Sequence, residues 1–212
     1  MTNIIAADIG GTNARFARAS LDESGVPTLG TVRKYKVADY SSLQSCWAAF
    51  TQDEADSGAG DLPDAVSIAF ATAIGRDVIK LTNSSWVIRA DTLAEDLGVR
   101  TVKLVNDFEA VAHAVSRLPQ DNLPLLFGED RPFPRDGGVT ILGPGTGLGV
   151  AMIAYDNGHP QVIATEGGHL DFAPLDSLEE KILAYLRDKF LRVSTERIVS
   201  GPGLNNIYKA MA

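Results

Sequence analysis

The chain has 212 residues, 45% of them hydrophobic and 22% charged, with a formal charge of −8 at pH 7. This is globular composition with enough apolar side chains for a core, and no apolar run approaches the ~20 residues of a membrane span. No run of Lys or Arg provides the basic stripe that nucleic-acid backbones require, and Cys46, alone in the sequence, excludes an internal disulfide or a Cys-rich zinc site. A reducing cytoplasm is the expected compartment, with no nucleic-acid or membrane partner and no targeting segment.

The first apolar run, 4–9, ends in Asp8-Ile9-Gly10-Gly11-Thr12-Asn13, and alternation resumes over 15–19, which predicts a hairpin. A β-like run over 31–37 precedes a helical pattern from Ser41, with Leu43, Trp47 and Phe50 on one face and Ser41 or Ser42 as N-cap. The Asp-, Gly- and Ser-rich segment 53–64 reads as a solvated loop with surface acids. Strands are expected over 65–70 and 77–81, and a short helix over 91–97 ended by Gly98. Residues 101–105 read as a buried parallel strand running into a helix over 106–117. Four prolines in 118–138 mark a loop.

Beyond it, 139–142, the glycine-rich run 143–149 and 150–154 echo the opening: strand, glycine turn with a threonine, strand. Two such hairpins point to two related α/β halves. Asn157-Gly158 signals another hairpin, followed by a helix over 177–191 and a last one after Gly201-Pro202-Gly203. Trp47 and Trp86 read as packing residues, with Trp86 near enough to Thr82-Asn83 to help wall a pocket.

Four segments offer chemistry. The Asp8 turn places an acid two residues before a glycine pair whose N–H groups can approach an anion, or it is a hairpin whose glycines supply positive φ. The run 143–149, with four glycines and Thr146, exceeds what a hairpin turn needs, and neither loop carries a P-loop lysine or a helix-opening GxGxxG. Two such turns could clamp one phosphate chain. Asn106-Asp107 stands where a strand becomes a helix; the pair either caps the helix or supplies a general base, Asp107, with Asn106 as a substrate partner. Glu166-Gly167-Gly168-His169 could present an acid and an imidazole to one polar ligand, although a lone histidine is more often structural. Glu196 also reads as a helix-start acid favoured by the dipole.

Together these segments resemble the bacterial glucokinases of the actin/hexokinase/heat-shock-chaperone ATPase superfamily, in the group outside the ROK kinases. The resemblance is carried in order by DIGGTNARFA at 8–17, LTNSSWVI at 81–88, LVNDFEAVA at 104–112, GPGTGLGVA at 143–151, EGGHLDFAP at 166–174 and STERIVSGPGL at 194–204. ROK kinases normally add a cysteine-rich zinc motif that one cysteine cannot make. The resemblance implies an α/β, two-domain actin-like ATPase (ribonuclease H-like) fold with the second domain incomplete. Residues 1–107 would form a small α/β domain with the first phosphate loop. Residues 108–212 would form part of a large one, with the second loop and the sugar contacts.

It also implies ATP-dependent phosphorylation of glucose at its 6-hydroxyl, the first step of glycolysis, by a homodimer. Gly10, Gly11, Thr12, Asn13, Gly145, Thr146 and Gly147 would hold ATP, and Asp8 would organise Mg²⁺. Asn83, Asn106, Glu166, His169 and Glu196 would bind glucose, and Asp107 would take the hydroxyl proton. Two departures stand out. The family usually has a proline and a Thr-Gly-Asp turn where this chain reads Ala71-Thr72-Ala73-Ile74-Gly75-Arg76-Asp77. Its members also continue about half as far again past Ala212, through a glycine-rich adenosine-binding segment, which leaves a catalytically silent sugar-binding homologue as the alternative. Apolar surface exposed by such a truncation is expected to favour association.

Overall fold

A computed structural model describes residues 2–23, 27–72, 77–81 and 84–212. They form two compact units, Met1–Ala110 and Val111–Ala212. In the first unit the strands are β1 (Thr2–Ile9), β2 (Asn13–Leu21), β3 (Pro27–Leu29), β4 (Arg33–Lys36), β5 (Ala65–Phe70), β6 (Val78–Lys80), β7 (Val87–Arg89) and β8 (Thr101–Asn106). Its helices are α1 (Leu43–Asp56), α2 (Leu93–Asp96) and the start of α3 (Asp107–Val115), inside which the unit boundary falls. The main sheet runs β3-β2-β1-β5-β8, with β4 also on β2; β1 is antiparallel to β2 and parallel to β5, which is parallel to β8.

Alternation along β1 buries Ile5, Ala7 and Ile9 and leaves Asp8 exposed. Against that apolar face lies α1, with Leu43, Cys46, Trp47 and Phe50 at helical spacing. Ser42 caps α1 reciprocally with Ser45, in the capping-box manner. Phe16 stacks on Phe50 at 5.0 Å and meets Trp47 edge-on at 5.8 Å. Full burial of a side chain such as Phe50 contributes ~2–3 kcal/mol. Burial also pushes the Cys46 thiol up to about 11, which leaves it unreactive. Trp86 is a packing residue: it is buried, and its indole N–H donates to the Tyr40 carbonyl at 2.9 Å.

Two expectations change here. Segment 53–64 is a solvated loop only from residue 57 on. Its start is the last turn of α1, and Glu54, only 5% exposed, receives the Nε–H of Arg18 and of Arg33, each at 2.6 Å. Tyr35 donates to Asp53 at 2.7 Å, and Arg18 reaches the carbonyls of Gly60 and Asp61. Burial opposes the Glu54 charge, but the two guanidiniums outweigh it and hold the carboxyl below its ordinary range. The strand β8 is parallel as expected, yet none of its residues is buried, because it forms the sheet edge and only Val102 and Leu104 pack toward the core.

The second unit holds β9 (Gly137–Pro144), β10 (Leu148–Asp156), β11 (His159–Thr165), α4 (Ser177–Phe190) and α5 (Gly201–Met211). The three strands form an antiparallel sheet in the order β11-β10-β9. Asn157 and Gly158, at φ 50° and 79°, make the two-residue turn their types favour. Before β9 the chain is irregular except for a 3-10 turn at Gln120–Asn122. Asp176 caps α4 by accepting from Leu178 and Glu179, and Ser200 caps α5 from Gly203, so α5 starts at Gly201 itself. A small core joins Ile182, Leu183, Leu186 and Val193. On α5, Leu204, Tyr208 and Met211 form an exposed apolar stripe. Among the described residues no helix is long and apolar enough to cross a membrane.

Candidate functional site

In the first unit the Asp8 turn closes with Gly10 N–H donating to the Asn13 carbonyl at 2.9 Å, while Val37 N–H holds the Thr12 carbonyl at 3.0 Å. Neither Gly10 nor Gly11 has a positive φ, so the hairpin reading in which they supply that geometry fails. The Gly10 amide is committed to the turn, which leaves anion contact to the apex amides of Gly11 and Thr12. Asp8 is half exposed at the end of β1 and pairs with the Arg15 guanidinium at 2.6 Å across the ladder.

At the end of β8, Asn106 is a helix cap. Its Oδ1 accepts from Phe108 N–H at 2.9 Å and Glu109 N–H at 3.2 Å, while the Glu109 carboxylate accepts from Asn106 N–H at 3.3 Å. Its Nδ2 donates to the Thr72 carbonyl at 3.1 Å, and a primary amide has a second hydrogen to offer. Capping thus fixes Asn106 in orientation and still permits a ligand contact. The cap also locates Asp107, whose Oδ1 accepts its neighbour Phe108 N–H at 2.9 Å. Burial raises the Asp107 carboxyl above its ordinary range, the Phe108 N–H pulls against that, and the Asp8 charge adds to the rise. A carboxyl poised in this way suits a general base. Asn83, with Thr82 and 73–76, lies outside the described residues.

In the second unit the glycine run is mostly strand, and the turn itself is only Gly145, Thr146 and Gly147, between paired Pro144 and Leu148. Gly145 N–H closes it on the Gly147 carbonyl at 2.8 Å, as Gly10 does in the first hairpin. Gly145 has an ordinary φ, and a Cβ there would meet no described atom within 4 Å. Its side-chain-free surface is therefore open to a ligand.

Other segments grip this turn. Glu196, on the 3-10 turn Thr195–Arg197, accepts Leu148 N–H at 3.0 Å, and Gly201 N–H donates to the Gly145 carbonyl at 2.8 Å. A Cβ on Gly168 would collide with the Leu148 carbonyl, and one on Gly147 with the Glu196 carboxylate. Sequence reading missed this role for Gly168 and Gly201; the signal was a glycine in every segment, and their partners lie too far along the chain to be inferred.

Glu166 precedes the 3-10 turn Gly167–His169 and His169 ends it, both exposed, with Oε2 and Nε2 3.7 Å apart. Their segment is stitched to that of Glu196: Thr195 N–H donates to the Leu170 carbonyl at 2.8 Å, Phe172 N–H to the Val193 carbonyl at 3.0 Å, and Arg192 bonds both Asp171 and the His169 carbonyl. The second unit therefore gathers Glu166, His169, Glu196 and the glycine turn into one polar patch. Among the described residues no group of three acids, histidines or cysteines could cage a metal. A lone carboxylate such as Asp8 instead suits Mg²⁺ carried on phosphates with most of its waters retained.

An α/β chain with these glycine hairpins has the architecture of the actin-like sugar kinases, and comparison with solved structures bears this out. A glucokinase from an Antarctic psychrotroph superposes with a TM-score of 0.80 at 30% identity, over 100% of this chain and 65% of that one. A glucokinase from Balamuthia mandrillaris in complex with glucose shares the fold, with a TM-score of 0.70 at 24% identity, over 98% and 62%. A ROK hexokinase from Thermus thermophilus shares it more distantly, at 0.62 and 17%.

The Glucokinase family model matches residues 5–212, and the chain belongs to that family. It is 51% identical over 209 residues to a glucokinase of Zymomonas mobilis subsp. mobilis, covering 99% of this chain and 63% of the relative. To a glucokinase of Xanthomonas euvesicatoria pv. vesicatoria it is 42% identical over 213 residues, covering 99% and 62%. The chain thus spans under two thirds of the length of these curated relatives.

Proposed function

We propose that the protein phosphorylates glucose at its 6-hydroxyl with MgATP, giving glucose 6-phosphate and ADP, in the cytoplasm as the entry step of glycolysis, and that it works as a homodimer. The observation that supports this most is the joining, in the second unit, of the glycine turn to Glu166, His169 and Glu196: a phosphate turn and a set of hydroxyl partners in one stitched patch. In this reading Asn83, Asn106, Glu166, His169 and Glu196 pair with sugar hydroxyls, and such pairing rejects analogues that lack them. Gly10, Gly11, Thr12, Asn13, Gly145, Thr146 and Gly147 receive the nucleotide phosphates through backbone N–H groups. The carboxylate of Asp107 accepts the 6-hydroxyl proton as the hydroxyl oxygen bonds to the γ-phosphorus, and the bond from that phosphorus to the ADP oxygen breaks with its electron pair leaving on ADP. Mg²⁺, organised by Asp8, would neutralise phosphate charge. Little else is asked of the protein, since phosphoryl transfer depends chiefly on positioning and charge.

The test is a dehydrogenase-coupled assay for glucose 6-phosphate with glucose and MgATP. Product is expected from glucose and none from 6-deoxyglucose; no product from glucose contradicts the reading.

A further inference from the structure

The second glycine turn is held by an acid that the proposed function assigns to the sugar. Glu196 Oε2 accepts Leu148 N–H at 3.0 Å, immediately after Gly147. The fit is close: a Cβ on Gly147 would lie 3.0 Å from Glu196 Cδ and collide with its carboxylate oxygen, although Gly147 has an ordinary φ. A side chain at Gly147 would therefore conflict with Glu196 in this position and not with the backbone geometry. Glu196 is half-buried, and its 3-10 turn is bonded to the segment carrying Glu166 and His169.

A carboxylate in that position does two things to an arriving phosphate. It occupies a backbone donor of the turn, and it sets a negative charge beside the amides of Thr146 and Gly147 that are meant to receive oxygen anions. A sugar hydroxyl that draws the carboxylate toward itself competes with the Leu148 N–H for it.

We infer that Glu196 is a sugar-controlled latch on the second phosphate turn. With no sugar bound, its carboxylate covers Leu148 N–H and repels phosphate. When a sugar hydroxyl engages it, the donor is released and the turn accepts phosphate. This rests on the reading of Glu196 as a sugar contact, and it makes binding of the two substrates mutually reinforcing, since coupling between sites is reciprocal. It also discourages transfer of phosphate to water when no sugar is present.

The experiment follows the Leu148 amide by ¹⁵N NMR, with calorimetry of glucose and of magnesium tripolyphosphate, a probe that needs no adenosine pocket. Saturating glucose is expected to shift the Leu148 amide and to tighten tripolyphosphate binding about tenfold, within the usual range of site coupling. In Gly147→Ala the new methyl displaces the flexible end of Glu196, so Leu148 should already be shifted without glucose and the glucose effect on tripolyphosphate should vanish. Glu196→Gln keeps the size and loses the charge, and should bind tripolyphosphate without glucose nearly as well as the wild type does with it. Glucose heat with an unmoved Leu148 amide, or a tripolyphosphate affinity indifferent to glucose, overturns the latch and leaves the sugar reading standing. No glucose heat at all overturns both.

Discussion

The two glycine hairpins are alike in design and differ in what supports them. Each closes on the N–H of its first glycine, Gly10 to Asn13 and Gly145 to Gly147. The first is fixed by strand pairing and by a sheet whose apolar face is filled by Phe16, Trp47 and Phe50. The second is also paired, β9 with β10, but its turn is gripped in addition by a carboxylate, a helix-terminal N–H and two close backbone approaches, in a unit with a cluster of only four buried residues. A turn held by packing is indifferent to ligands, whereas one held by Glu196 changes when Glu196 finds another partner. The contrast assigns rigidity to the first unit and responsiveness to the second.

Mutations can break that contrast. Phe50→Ala should cost the most, ~3–5 kcal/mol by chemical denaturation, while Leu186→Ala should fall near the lower end of the ~2–5 kcal/mol typical for Leu. A Leu186 loss that matches or exceeds that of Phe50 would erase the packing difference. Next comes Glu54→Gln, which leaves Arg18 and Arg33 without their shared partner and should lower Tm at pH 7 by ~5 °C or more. The folded Glu54 carboxyl is depressed, so its contribution is present above the unfolded carboxylate pKa and disappears as pH falls through the folded value. The gap between wild type and Glu54→Gln should therefore close in acid; a gap independent of pH would deny the ion triad its role. Smaller still, Asn106→Ala removes the α3 cap and should cost ~1 kcal/mol in the same denaturation measurement.

Local features of this architecture could be read in the residues themselves. The β1–β2 hairpin, the α1 face, the Ser42 cap and the Asn157-Gly158 turn all depend on neighbours a few residues apart. Glu54 was misread because its partners Arg18 and Arg33 lie 36 and 21 positions away, so an acid-rich helix end looked like surface. The burial of β8 was misjudged because β-branched residues mark a strand without telling centre from edge. In the candidate site the residue types were visible, but not the reason for the glycines: Gly168 and Gly201 make room for or bond to the 145–148 turn, and Glu196 reaches it from 48 positions away. The dual position of Asn106 was visible only as a choice between cap and ligand, and the hydrogen bonds show that the cap is real.

The central claim, that Asp107 is the base of a glucose kinase, is tested most directly by kcat/KM for glucose against pH for the wild type and Asp107→Asn. Burial first, and the Asp8 charge in addition, raise the Asp107 carboxyl of the free protein, so the wild-type kcat/KM should fall on the acid side at a pH above the ordinary carboxylate range. The same raised value means that the folded state holds this proton more tightly than the unfolded one, so ionised Asp107 costs stability as pH rises, and the Asn variant should melt at or above the wild-type temperature at neutral pH. Its turnover should be lower by ~10²–10⁴ with that acid limb gone. A folded Asp107→Asn protein that makes glucose 6-phosphate at the wild-type rate would contradict the account.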